Sequence, residues 1–186
     1  MRHKGVIMDG NRKGRNLALS RMSTYMEGAR KSSCVFISHK KEDVDVARAI
    51  SEYLMNKICV DVYFDENDNG LQAATQVEDD LNIVKSIKKG LSCSTHLLCL
   101  VSDKTKLSWW VPYEIGIMDN KGLSITSLKL KGIDELPSFL KINKVLYTCE
   151  DFANYVHTLG PYGTIFTEGK KYDAQSIRQE FGRYID

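Results

Sequence analysis

The stretch CVFISHKKEDVDVARAISEYLMN, Cys34–Asn56, decides how the rest of the chain is read. It opens with a short apolar run, CVFIS, which reads as a strand. The polar turn HKKED follows, and then Ala47, Ile50 and Leu54 recur at helical spacing as far as Asn56. This is strand, turn, helix, and the alternation continues downstream.

CVDVYFD (Cys59–Asp65) alternates like a strand and leads into the polar, Gly-containing loop ENDNGLQAA. Thr75 and Glu78 match a capping box for a helix whose apolar positions are read as Val77, Leu81, Val84 and Ile87. HLLCLVS (His96–Ser102) is an apolar strand. LSWWVPYEIGIMD (Leu107–Asp119) is a helix carrying Ile115, Ile117 and Met118, with the chain's two tryptophans, Trp109 and Trp110, at its start. LSITSLKL (Leu123–Leu130) and KVLYTC (Lys144–Cys149) supply two more strands, and Asp151 to Leu159 a further helix. Strands alternating with helices, almost without hairpin signals, predict an α/β fold with a five-stranded parallel sheet and helices on both faces. Ile177, Phe181, Tyr184 and Ile185 mark one more helix near the C-terminus. The expected divisions are a basic extension over residues 1–32, a domain over 33–159 and a helical extension over 160–186.

With 186 residues, 42% hydrophobic and 27% charged, the chain suits one globular domain with a sizeable core. No apolar run approaches the roughly 18 residues of a membrane span, and the N-terminus has no apolar signal core, so the expected location is cytoplasmic. The five cysteines, Cys34, Cys59, Cys93, Cys99 and Cys149, are scattered, lack C-x-x-C spacing and sit mostly in apolar runs, which reads as buried free thiols. The four histidines show no ligand spacing, and no structural metal is expected. Eight of the Lys/Arg residues, against Asp9 and Glu27 alone, lie in residues 1–31, so the basic character is local. That arm lacks the aromatic interleaving of a single-strand binder and reads as a solvated extension, with no nucleic acid partner expected. Within it Ala18, Met22, Tyr25, Met26 and Ala29 suggest a short amphipathic helix that needs the main body or a second subunit to cover it.

In a doubly wound sheet, ligands sit outside the carboxyl ends of the strands, near the switch point. The segments emerging there include SHKKED, DENDNG and SDKTKLSWW, which gathers Ser38, His39, Asp65 and the Trp–Glu segment on one rim. At these residues the chain resembles a family. VFISHKKED, VDVYFDEND, IKKGLSCSTHLLCLVS and SWWVPYEIG, in that order over about residues 33–159, are similar to a bacterial Toll/interleukin-1 receptor (TIR) domain. The resemblance implies a flavodoxin-like three-layer fold. Its most specific piece is W-x-x-x-E, Trp110 to Glu114, which implies Glu114 as the catalytic residue of NAD+ cleavage. It further implies Ser38, His39, Asp65, Trp110 and Tyr113 as substrate-binding residues, with NAD+ as substrate and no separate cofactor. A standalone chain of this kind resembles the antiphage Thoeris type, which implies self-association through TIR contacts, a nucleotide product made for a separate effector protein, and a phage-derived activator.

The chemistry suits so sparse a site. Glycoside hydrolysis normally needs two carboxylates, one of them to protonate the leaving oxygen. Nicotinamide leaves NAD+ from a ring that is already cationic, so one carboxylate that stabilises the oxocarbenium-like transition state suffices. Pro112 favours a first helical turn and disfavours helical geometry at Val111, which is expected to set Glu114 near the helix N-terminus, where the dipole favours its charge. A tryptophan beside it offers a stacking face. Trp110 is assigned to that wall and Trp109 to packing, because adjacent residues point in different directions. The competing readings are a helix-starting carboxylate with two core or interface tryptophans, a turn histidine at His39, and a TIR adaptor without chemistry. The rim loops DENDNGLQAA and SDKTKLS read as long and polar, ordered only by a partner. One further resemblance, of RHKGVIMDGNRKGR to the diphosphate-binding opening of cis-prenyltransferases through Asp9, Asn11 and Arg12, stops by about Gly28 and lacks the aromatic expected after the arginine.

Overall fold

The apolar runs assemble into one all-parallel sheet of five strands, β1 (Cys34–Ser38), β2 (Asp61–Tyr63), β3 (His96–Val101), β4 (Ser124–Lys129) and β5 (Lys144–Leu146), in the order β2-β1-β3-β4-β5. The computed structural model describes residues 14–17, 33–64, 80–159 and 173–186. Helices α1 (Val44–Tyr53), α2 (Asp80–Cys93), α3 (Trp110–Asn120), α4 (Cys149–Leu159) and α5 (Ala174–Phe181) complete the three layers. The doubly wound flavodoxin-like arrangement is thus as expected, with its switch point between β1 and β3.

β1 and β3 are largely apolar on both sides because both sides are covered. On one face Val35, Ile37, Leu98, Leu100 and Leu128 pack under α1, the turn that follows it, α4 and α5 through Ile50, Leu54, Phe152, Ile177 and Phe181. Phe181 meets Tyr53 and Phe152 edge-on, with ring centroids 5.2 and 5.7 Å apart. The C-terminal helix therefore shares this core. On the other face Phe36, Leu97, Cys99 and Ile125 pack under α2 and α3 through Ile87, Leu91, Val111 and Met118. Helix α4 starts two residues before the predicted Asp151: Thr148 Oγ1 accepts from Asp151 N at 3.1 Å, and the Asp151 carboxylate accepts from Thr148 N at 3.0 Å, a reciprocal box that closes the first turn.

The apolar face of α2 keeps the expected Ile87 and leaves Val84 half-buried, but Leu81 departs from the expectation. Leu81 is 74% exposed, and the buried stripe is Ile83, Ile87 and Leu91. Leu81 and Ile83 lie two positions apart and so project to nearly opposite sides of the helix. What selects the rotation is Gly90: a Cβ there would lie 2.5 Å from the Tyr63 ring and 2.6 Å from the Phe36 ring. Those two rings are stacked, with centroids 5.5 Å apart and 7° between planes. Only a glycine lets the helix backbone rest on them. Val77, the Thr75/Glu78 box and the amphipathic Ala18–Ala29 segment lie outside the described residues.

Solvation of the basic arm does not extend to Gly14–Leu17. Asn16 forms a parallel bridge with Val62, Leu17 N donates to Val62 O at 2.8 Å, and Val62 N donates to Arg15 O at 2.9 Å. Leu17 is buried in the core beneath α2. The four residues cover the otherwise open edge of β2, where unpaired backbone groups would need water.

Two glycines in helices separate packing from backbone effects. Gly90→Ala should lower the unfolding free energy by about 1–3 kcal/mol through overpacking. Gly116→Ala, at an exposed position in α3 where nothing lies within 4 Å of an added Cβ, should raise it by about 0.5–1 kcal/mol. Urea denaturation of both variants checks the pair.

Candidate functional site

The site grows from the C-terminal ends of β1 and β3. Ser38 closes β1 in register with Cys99 of β3, and Cys99 is in turn in register with Ser127 of β4. This row of three small side chains lies on the face covered by α2 and α3, since Phe36 and Leu97, each two residues away, belong to that core. Ser127 Oγ is buried and has no hydrogen-bond partner among the described residues.

Helix α3 is brought to the row by an ordered turn. Ser102 begins a 3-10 segment, Asp103–Leu107, in a reciprocal capping box with Thr105, whose buried hydroxyl also donates to Leu100 O at 3.2 Å. Ser102 Oγ donates to Asp43 Oδ2 at 2.5 Å, tying this turn to the one after β1. SDKTKLS is therefore ordered within the chain itself, against expectation, because the Thr105 hydroxyl satisfies buried backbone groups. The loop DENDNGLQAA, with Asp65, lies outside the described residues except for Phe64 before it. Ser108 then takes an extended backbone, its Oγ accepts from Val111 N at 3.3 Å, and helix starts at Trp110.

Pro112 is thus the third helical residue, and Val111 before it is already helical, which corrects the expected boundary. A proline in the first turn costs no helical bond, because those N–H groups have no intrahelical partner. Glu114 is the fifth helical residue, past the turn in which the dipole acts most strongly. The contact that holds its carboxylate is instead a hydrogen bond: Ser38 Oγ donates to Glu114 Oε2 at 2.5 Å, and Glu114 is only 8% exposed. A buried carboxylate is retained only when hydrogen-bonded or paired, so this short bond is a structural requirement as well as a chemical feature.

Around this pair, Trp110 and Tyr113 are half-buried and meet edge-to-face, with centroids 6.3 Å apart. His39, also half-buried, has Nδ1 3.2 Å from Ile37 O; a carbonyl only accepts, so Nδ1 carries a proton. Its ring lies 5.3 Å from that of Phe64. Trp109 is 91% exposed, which overturns its assignment to packing: it precedes the first helical residue and projects away from the core. Burial first and the Glu114 charge second push the Cys99 thiol up to about 12, against the opposing effect of a hydrogen bond with Ser38. Cys99 therefore stays a neutral thiol at physiological pH and is no nucleophile.

Of the residues singled out from sequence, the structure gathers Ser38, His39, Trp110, Tyr113 and Glu114 at the switch point. Cys99, Ser102, Asp43 and Phe64 escaped that reading. Strand register would have exposed Cys99, since it pairs with Ser38; the others depend on contacts between loops. Among the described residues no group of three or more His, Cys, Asp or Glu is arranged to hold a metal ion, and no helix is long and apolar enough to cross a membrane.

Residues 36–134 match the protein family described as Thoeris protein ThsB, TIR-like domain. The chain belongs to this family. The Thoeris TIR-like match runs from β1 through α3 and β4, so it contains the Ser38–Glu114 pair, while β5, α4 and α5 lie beyond it. Its broad class is a TIR protein of antiphage defence. No curated protein matches the chain.

Trp109→Ala should leave thermal stability within about 0.5 kcal/mol of the parent, as for other exposed positions. Ser38→Ala removes a donor from a buried carboxylate and should cost about 1–3 kcal/mol. Melting curves of the two variants side by side provide the check.

Proposed function

We propose that this Thoeris TIR-like protein cleaves NAD+ at the nicotinamide–ribose bond and turns the ADP-ribose moiety into a signalling nucleotide. The observation that carries the reading is the buried contact at the β1/β3 switch point between Ser38 and Glu114, the glutamate of the W-x-x-x-E segment. A carboxylate held there by a hydroxyl is preorganised, so little reorganisation is needed when positive charge develops on the ribose. The pyridinium needs no general acid, and neither a metal nor a second carboxylate is required. Trp110 and Tyr113 supply an aromatic wall for a planar cationic ring. Ser38 acts in this scheme as the donor that sets the carboxylate, with His39 at the rim, and Asp65 is retained as a proposed substrate contact.

Once nicotinamide has left, the product depends on what meets the oxocarbenium ion. Apolar surface around the anomeric carbon excludes water and favours attack by an internal hydroxyl or ring nitrogen, giving a cyclic product, or by an added acceptor, giving an adduct. Such a product would act on a separate effector protein, after activation by a phage-derived cue.

A second reading, a TIR adaptor working by association, is favoured by one observation. Trp109 and Leu107, 91% and 79% exposed, lie two residues apart beside Lys104 and Lys106. Exposed aromatic and aliphatic side chains in one turn suit contact with another protein surface. The two readings are compatible if association activates the enzyme.

Glu114→Gln should keep the fold and lower NAD+ turnover by about 10²-fold or more. Mass spectrometry of the wild-type reaction should show a species one water lighter than ADP-ribose, or an ADP-ribose adduct. Full turnover by folded Glu114→Gln would overturn the role given to this carboxylate, an absence of NAD+ cleavage by the wild type would leave the adaptor reading in its place, and ADP-ribose and nicotinamide alone would reduce the activity to hydrolysis.

A further inference from the structure

The basic N-terminal arm plays no part in the chemistry above, yet Gly14–Leu17 is built onto the sheet next to the candidate site. Asn16 is its most specific residue. Its Nδ2 donates to Phe64 O at 3.0 Å, and its Oδ1 accepts from Phe64 N at 3.2 Å. The carboxamide thus pairs both backbone groups of the residue that follows β2, as a neighbouring strand would. Asp would offer no donor to that carbonyl, and Ala would offer nothing.

The strap is fixed on either side of Asn16. Gly14 N donates to Met55 O at 2.8 Å, and a Cβ on Gly14 would lie 1.9 Å from Val60 O, so only glycine permits the approach. Arg15 N donates to the buried Asp61 carboxylate at 2.9 Å, and Leu17 is buried in the core. From Asn16 the contacts run inward. The buried Phe64 ring stands against the His39 imidazole, and His39 follows Ser38, which holds Glu114.

We infer that Asn16 is a positioning residue for the candidate site: by clamping the Phe64 backbone it places the Phe64 ring, which in turn orients His39 beside the Ser38–Glu114 pair. The kinetic consequence rests on the NAD+ cleavage proposed above; the placement of His39 does not.

The test uses the full chain with Asn16→Ala, the isosteric Asn16→Asp, and Ile177→Val in α5, which weakens the core that also holds Phe64 without touching the Asn16 contact, as a stability control. Asn16→Ser probes the same contact if the alanine variant does not fold. In proton–carbon NMR spectra of the imidazoles, assigned with His39→Gln, the His39 resonance should move in the Asn16 variants as the Phe64 ring shifts. Those of His96 and His157 should stay in place. NAD+ turnover should fall about 10-fold or more, in kcat rather than KM, as expected when reacting groups are misaligned. The control should lower the melting temperature without either effect. An unmoved His39 resonance in the folded Asn16 variants, an equal movement in the control, or a moved resonance with unchanged kcat would overturn the inference. If the wild-type protein cleaves no NAD+, the proposed activity falls, and the His39 resonance alone decides whether Asn16 positions the rim.

Discussion

A carboxylate beneath a helix has to be hydrogen-bonded, and the bond from Ser38 Oγ to Glu114 Oε2 meets that need where β1 ends beside β3. Much of the local architecture is arranged around it. The residues across the sheet at that level, Cys99 and Ser127, are small, so nothing bulky stands between the sheet and the first turns of α3. The helix start is fixed by the Ser102–Thr105 box, and that turn is tied to the segment after β1 by Ser102 and Asp43. Two loops that are distant in sequence are thereby locked together on either side of the pair. A shift of either would leave a buried charge with poorer hydrogen bonding, which costs more than most surface contacts contribute.

The same face shows how a helix is oriented by what it rests on. Glycine at position 90 makes α2 settle on the stacked rings of Phe36 and Tyr63, and the helix then buries Ile83, Ile87 and Leu91 and exposes Leu81. A hydrophobic pattern contains more than one usable stripe whenever apolar residues are spread around the helix. Close packing then selects the stripe that leaves no clash.

The edges of the sheet are treated unequally. β2 is capped by Gly14–Leu17, whose backbone satisfies groups that would otherwise face water, while α5 and the residues after it add Ile177, Phe181 and Ile185 to the core. Cys149 N donates to Asp186 O at 2.7 Å, so the start of α4 is bonded to the last residue of the chain. Segments read from sequence as extensions on either side of the domain therefore contribute backbone bonds and buried side chains to it.

Sequence alone determined the element types and their order, because both-face burial leaves its mark in continuous apolar runs such as Cys34–Ile37 and Leu97–Val101. It also marked the W-x-x-x-E segment and the rim residues Ser38 and His39, since doubly wound sheets expose the carboxyl ends of their strands. The tertiary structure alone decided which tryptophan is exposed, where α3 begins relative to Pro112, which stripe of α2 is buried, and that four residues of a basic arm belong to the sheet. The physical reason is common to all four. Periodicity is a property of neighbours along the chain, whereas side-chain direction, helix rotation and edge pairing depend on atoms brought close by folding: the Thr105 hydroxyl, the Phe36–Tyr63 rings and the Phe64 backbone.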